Sequence, residues 1–541
     1  MAKHKPRATR ASRFRRKLLA RAAASLFFAG LGGCAVGPEF VSPPAPAVDR
    51  YTPEPLAAAG GVALTPARDV PQRWWQVFHN KNLNRLIEAA IEHNPSLQAA
   101  EAGVRVAFHN AEAQKGGFLP QILFESNDSA NLQSGVQNAV SPNGPTNPYG
   151  LFLKSLTVTY TPDIWGANRR AVESLEAQTE QQRYQLEAAY LALTSNVAAA
   201  AVQEAMLRGQ IAATRQVISQ GRNMLSILRK NYGVGAVAQA DVLVQEAALA
   251  QMEQLLPPLE KSLAQQRDLL TALAGQYSTA QVPETFDMKS LPLPSHLPLT
   301  LPADFLRQRP DLRAAEANMH SASAQIGVAI AARLPNVTLS ANGGYSGYSL
   351  AQLFLPGTGF YTLAAGVTQP IFSGFSLLNK QRAADAGLIQ AEAQYRLAAI
   401  TAFQNVADAL RALQADGKAV RAAAHAETVA RQSYDVVKKQ FSLAQGGAVN
   451  MLQVLNAQQT WLLAANTRIQ AEGNRLGDVV GLFMALGGDW KDENLKNLSP
   501  SAPRHLLADF GTPDPREVDK IDAPVNSSWF PTFLERSDKP D

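Results

Sequence analysis

Two stretches of this chain, 168–232 and 376–444, contain no proline and carry apolar residues at helical spacing. From Leu186 the register steps by four and three through Tyr190, Leu193, Val197, Ala200, Glu204, Leu207, Ile211, Thr214, Ile218, Gly221, Leu225, Leu228 and Tyr232. That is a sustained heptad with one charged interruption, the seam of a coiled coil. The second stretch repeats it through Phe403, Val406, Leu410, Leu413, Gly417 and Val420. At 1.5 Å per residue, helices of about 65 residues reach on the order of 100 Å. Both stretches are too polar to lie in lipid, and their abundant alanine favours close approach of neighbouring helices.

The rods belong to an internal duplication with a spacing of about 210 residues. Phe118-Leu119-Pro120-Gln121-Ile122 answers to Arg333-Leu334-Pro335-Asn336-Val337, and Asp163-Ile164-Trp165-Gly166 to Pro370-Ile371-Phe372-Ser373-Gly374. Further on, the stretch from Tyr232 through Asp241 answers to that from Phe441 through Asn450. Each half reads helix, strand, strand, long helix, turn, helix. The expected divisions are a first repeat at 73–280, with strands near 119–135 and 150–164, and a linker at 281–300. A second repeat follows at 301–490, with strands near 334–348 and 360–372. An extended lead at 34–72 precedes them and an extended tail at 491–541 follows.

In the strands, Leu156, Val158 and Tyr160 alternate with Thr157 and Thr159, and Val337, Leu339 and Ala341 with Asn336, Thr338 and Ser340. This is the apolar-out, polar-in dyad of a transmembrane barrel. Four strands cannot close one, because bacterial barrels start at eight, and an open edge in lipid leaves backbone groups unpaired. The barrel is therefore expected to be shared. Two copies give eight strands, a barrel filled by its own side chains; three give twelve, which leaves a conduit.

Residues 1–33 hold nine of the chain's 50 Lys+Arg and no acid. The remainder has 41 against 45 Asp+Glu, a charge of −4. The formal +5 thus belongs to a targeting segment, and nucleic acid is not an expected partner. That segment reads as a signal peptide: a basic region, the short apolar stretch Ala22–Ala29, then small residues ending at Cys34, the only cysteine. Leu31-Gly32-Gly33-Cys34 resembles a bacterial lipobox, which implies an N-acyl and S-diacylglycerol (palmitate-type) lipid on Cys34. Ala35 stands where an inner-membrane retention signal would place Asp, which implies sorting to the outer membrane.

Several motifs carry a family resemblance. They are Trp74-Trp75-Gln76-Val77-Phe78 with Asn82-Leu83-Asn84-Arg85-Leu86-Ile87, Arg309-Pro310-Asp311-Leu312-Arg313-Ala314-Ala315-Glu316, Ala324-Gln325-Ile326-Gly327-Val328-Ala329, and Val454-Leu455-Asn456-Ala457-Gln458-Gln459-Thr460. The chain resembles the TolC-type outer-membrane factors, in their NodT or OprM-like lipoprotein branch. The resemblance implies an α+β membrane protein: a homotrimer with a shared twelve-stranded β-barrel and a periplasmic α-barrel of coiled-coil helices. It implies a periplasmic adaptor protein and an inner-membrane transporter of the resistance-nodulation-division (RND) class as partners, outer-membrane lipid around the barrel, and export of small toxic compounds. The outer-membrane channel of a type I protein-secretion system is the alternative, and a non-conducting envelope scaffold a further one.

By the same resemblance the adaptor docks on two helix-helix turns, at Val234, Gly235 and Ala236 and at Gln445, Gly446 and Gly447. The periplasmic gate is placed at Asp241, Gln453 and Asn456. Relatives with an acidic constriction carry carboxylates where Gln453 and Asn456 stand, so hydrogen bonding and packing are expected to replace a charged latch. No P-loop, GxSxG motif or zinc-ligand spacing occurs in the sequence, so no enzyme activity, metal or other cofactor is expected.

Overall fold

The computed structural model describes residues 35–44, 48, 50–54, 58–59, 62–67, 70–71, 73–131, 149–300, 305, 307–443 and 450–488. All lie in one compact unit, Met1–Asp492. Within it, β1 (Ala58–Ala59) and β2 (Val62–Ala67) precede α1 (Lys81–His93) and α2 (Pro95–Lys115). Strands β3 (Gln121–Asn131) and β4 (Tyr149–Tyr160) lead to α3 (Ala167–Gly233), α4 (Gln239–Gln254) and α5 (Leu256–Leu273). The second half gives β5 (His296–Thr300), α6 (Pro310–Ala331), β6 (Asn336–Gly347), β7 (Gly359–Thr368), α7 (Ser376–Leu443) and α8 (Met451–Leu486).

The descending rods α3 and α7 have 67 and 68 residues, roughly 100 Å each. Of the fourteen heptad positions read from Leu186 to Tyr232, all but Tyr190 and Tyr232 are buried. Small residues recur on this face: Ala198, Ala200, Ala201 and Ala205 are buried and let the neighbouring helices come close. Near the sheet α3 packs on α2 and α6; farther along it packs on α4 and α8, and α7 packs on α8. The charged interruption, Glu204, is fully buried. Its Oε1 accepts from Arg208 Nε at 2.7 Å and from Arg267 at 3.1 Å. Arg267 also donates to the Val282 carbonyl at 2.6 Å, so one ionic hub ties α5 and the segment after it to the rod.

The strands form one antiparallel sheet in the order β3-β4-β6-β7, with the hairpin of the first repeat joined edge to edge to that of the second through β4 and β6. Beside the helices, β1, β2 and β5 form a small three-stranded sheet in which β2 and β5 run parallel. The segment 281–300 thus supplies a strand that pairs with the N-terminal segment. At mid-height Trp74, Trp75 and Phe78 are buried, and Trp74 stacks on Phe483 at 5.1 Å.

Candidate functional site

The sheet end comes first. Register places Ile122, Val158, Ala341 and Leu363 side by side, and Phe124, Leu156, Gly343 and Tyr361 in the next row on the same face. Ile122, Phe124, Leu156, Tyr361 and Leu363 are each more than half exposed. The opposite face carries Leu123, Thr157, Asn342 and Thr362 in one row, three of the four polar, and Asn342 Nδ2 donates to Thr157 Oγ1 at 2.6 Å. Strands of 10 to 12 residues have the length that a tilted transmembrane strand needs. Among the described residues, strands β3 and β7 pair on one side only. No described helix is long and apolar enough to cross a membrane.

Where the sheet meets the rods, the Asp163 carboxylate accepts from the Asn168 and Arg169 amides at 3.0 and 2.9 Å, satisfying the open start of α3. Trp165 Nε1 donates to the Pro335 carbonyl at 2.7 Å. The N-terminal segment is anchored at this level. The Val36 amide donates to the Trp165 carbonyl at 3.1 Å, and Arg170 Nε donates to the Val36 carbonyl at 3.1 Å. Phe40 stacks on His320 at 4.5 Å, and Ser42 bonds Glu316. Cys34 itself lies outside the described residues.

The far end holds the predicted tips. Gly235 adopts φ +72°, a left-handed conformation that glycine takes without strain. Its amide donates to the Tyr232 carbonyl at 2.9 Å, and that of Ala236 to Asn231 at 2.8 Å. Val234 is 79% exposed at the apex. The second tip, with Gln445, Gly446 and Gly447, lies outside the described residues.

Asp241 stands in the first turn of α4. Gln453 closes a capping box at the start of α8: its amide takes the Asn450 carboxamide oxygen at 3.0 Å, and its own Oε1 takes the Asn450 amide at 3.1 Å. Asn456 is exposed one turn further on. Val242 and Val454, which adjoin Asp241 and Gln453, belong to one apolar core shared by α3, α4, α7 and α8. The three predicted gate residues therefore all lie in the first two turns of α4 and α8. Two further polar residues of that core were not singled out from the sequence as functional. Gln245 and Gln458, both buried, each donate to a backbone carbonyl of α3.

Higher on the same helix pair, burial, a hydrogen bond to Asp416 and the charge of Asp416 push the Asp478 carboxyl up to about 7. Beside it, burial and then Arg421 lower Arg475. No group of three or more potential metal ligands occurs among the described residues.

Comparison with known proteins matches this architecture. The family described as outer membrane efflux protein covers residues 86–276 and 301–488, one match per repeat. The pyoverdine export outer membrane protein OpmQ of Pseudomonas aeruginosa is 30% identical over 438 residues, 79% of this chain and 89% of its own. The toluene efflux pump outer membrane protein TtgF of Pseudomonas putida is 28% identical over 85% of this chain and 95% of its own. Among solved structures, the outer membrane protein VceC of Vibrio cholerae shares 26% identity at a TM-score of 0.71, covering 79% of this chain and 100% of its own. The Campylobacter jejuni outer membrane channel CmeC, at 20% identity, has the same fold with a TM-score of 0.78 over 87% of this chain and 99% of its own.

The chain belongs to the outer membrane efflux protein family. It is the outer-membrane channel of an efflux pump, a transport protein and not an enzyme.

Proposed function

We propose that three copies of this chain join their four-stranded sheets into one twelve-stranded barrel and their rods into a periplasmic tube. The observation that carries this is the sheet itself. It has one face with two adjacent rows of exposed apolar residues, a mainly polar opposite face, and two edges with no partner among the described residues. Such edges persist in lipid only if another chain pairs with them. In this reading 73–280 and 301–490 are the two structural repeats, 281–300 links them, and 1–33 is removed as a signal peptide. Cys34 carries the lipid, and 34–72 and 491–541 are the lead and the tail. The docking of Val36 beside Trp165 supports an anchor held close to the level where β4 leaves the sheet.

The narrow end lies at the helix tips. Asp241, Gln453 and Asn456 form the periplasmic gate, and Val234, Gly235 and Ala236 with Gln445, Gly446 and Gly447 receive a periplasmic adaptor that leads to an RND-type inner-membrane transporter. The cargo is small toxic compounds or drugs, in keeping with relatives named for pyoverdine, toluene and antibiotic efflux.

Native mass spectrometry of detergent-solubilised protein tests the assembly: a three-fold particle with acylated Cys34 is expected, and a stable monomer or dimer overturns it. Deleting the gene tests the cargo: sensitivity to drugs and solvents is expected to rise with protein secretion unchanged, and the reverse result assigns the channel to protein secretion.

A further inference from the structure

The core far from the sheet is built of Val, Leu, Ile, Met and Trp from α3, α4, α7 and α8, and two glutamines sit inside it. Gln245 on α4 is 0% exposed and Gln458 on α8 is 1% exposed. Gln245 Nε2 donates to the Gly221 carbonyl at 3.1 Å. Gln458 Nε2 donates to the Val217 carbonyl at 3.1 Å. Val217 and Gly221 are successive steps, one helical turn apart, on the same rod. A carbonyl oxygen has a second lone pair, so α3 accepts these bonds without giving up its own.

Gly221 lies where the two glutamines and Leu249 meet α3. A Cβ there would lie 3.3 Å from Leu249 Cδ1 and 3.6 Å from Nε2 of both glutamines. Three helices therefore converge on one bare patch of α3. By the spacing that matches Tyr232 with Phe441, Gln245 corresponds in sequence to Val454 and Leu249 to Gln458, so the two glutamines occupy non-equivalent positions of the duplication.

Packing alone does not explain the glutamines, since an aliphatic residue fills such a position without bringing a polar group out of water. A buried amide is tolerated only while it is hydrogen-bonded. Within helical bundles a buried polar residue fixes the register at some cost in stability. Sliding or rotating α8 on α3 breaks the Gln458 bond and strands its amide among apolar side chains.

We propose that Gln458 is the positioning residue that locks α8 on α3 at one register, with Gln245 holding α4 on the same patch of α3, and that the narrow end of the channel opens only as the α8–α3 register is lost. The proposal rests on the reading that the narrow end lies at the helix tips. The lock lies within about two helical turns of the predicted gate residues on α4 and α8, but involves none of their side chains.

The test uses the full-length protein in planar bilayers, with wild type, Gln458→Leu and Gln458→Glu. The leucine variant is expected to conduct about tenfold more of the time, at any pH, as loss of one buried hydrogen bond predicts. A glutamate at this position donates only when protonated. Gln458→Glu is expected to leak at alkaline pH and to return toward wild type at acid pH, a profile that a packing defect does not produce. Amide exchange over residues 451–462, measured on the same proteins, is expected to accelerate in Gln458→Leu. A folded Gln458→Leu protein with wild-type conductance and wild-type exchange overturns the lock. Faster exchange at 451–462 with unchanged conductance keeps the contact but rejects its control of opening.

Discussion

The two rising legs of the molecule correspond in sequence and differ in build. In the first repeat the leg is broken. Helix α4 stops at Gln254, the Leu255 amide turns back to the Met252 carbonyl, and α5 restarts with Pro257 and Pro258 in its first turn. In the second repeat the leg is a single helix of 36 residues, α8. Proline at a helix start costs little, because the amides it replaces have no partner there. The restarted α5 carries Arg267, which reaches the buried Glu204. The unbroken α8 is held by a long seam instead: Trp461 stacks on Tyr434 of α7 at 5.5 Å, and Arg468 bonds Glu427 and Glu472. One leg is fastened by a buried ionic hub, the other by continuous packing with part-exposed ion pairs at its side.

The largest effect should come from the hub. Glu204→Ala leaves Arg267, whose side chain is 16% exposed, without its carboxylate, and removing one partner of a buried pair costs about 3–5 kcal/mol. Arg468→Ala, in the other leg, removes bonds whose partners are 22% and 32% exposed, and should cost about 1 kcal/mol. Urea unfolding of the solubilised protein measures both. Equal losses would mean that the two legs are fastened alike.

The break itself gives the second test. The repeat spacing sets Pro257 and Pro258 against Asn466 and Thr467. Thr467→Pro, in mid-helix, should cost about 3 kcal/mol or more. Replacing Pro257 and Pro258 by alanine should change stability by less than about 1 kcal/mol, because no buried amide gains or loses a bond. Circular dichroism melts of the three proteins decide whether the break is a tolerated interruption or a required joint.

The rods were legible in the sequence because a heptad over some 45 residues leaves few alternatives. Even its interruption, Glu204, was visible as a charge on the buried face, although its partner Arg267 was not, since that contact spans 63 residues. The strands showed through their dyad, and the tip turn through Gly235. Sequence missed what depends on three-dimensional convergence. Residues 36–42 read from the sequence only as the start of an extended lead, yet they contact both repeats, through Trp165 and Arg170 of the first and Glu316 and His320 of the second. Gln458 stood inside a family motif with nothing to mark it as buried. Gln453 carried the types of atom that a gate ring needs, but the local capping geometry that engages it becomes visible only once α8 is seen to begin at Met451.

A titration separates the legs at the next level. The Asp478–Asp416 pair joins α8 to α7, and Asp478 is pushed up to about 7 from an ordinary value of 3.8. A carboxyl whose folded value is raised binds its proton more tightly when folded. Its contribution is complete below the ordinary carboxylate range and is lost as pH rises through about 7. Three units correspond to about 4 kcal/mol, and solvent screening of a half-buried group reduces this to about 2 kcal/mol. The solubilised protein should therefore lose stability between pH 4 and 7.5, and Asp478→Asn should remove most of that slope. If the slope survives the substitution, the titrating group lies elsewhere.

The smallest expected difference lies at the starts of the two legs. Helix α8 begins with a neutral, reciprocal capping box between Asn450 and Gln453, while α4 begins at Ala238 with no side-chain cap and with Asp241 as the acid of its first turn. The first start relies on hydrogen bonds, which salt barely weakens. The second relies on a carboxylate near the positive end of the helix dipole, an interaction that salt screens. Asn450→Ala should open the first turn of α8 by about 1 kcal/mol at any ionic strength. Asp241→Asn should open that of α4 by about 0.5 kcal/mol in dilute buffer and by almost nothing in concentrated salt. Amide exchange over 451–458 and 239–246, at low and high salt, reads the two starts separately. A salt effect at both starts would mean that a charge outside the capping box acts on α8. Its absence at both would mean that Asp241 is not held by the dipole, which leaves its carboxylate free for a bond to another chain at the tips.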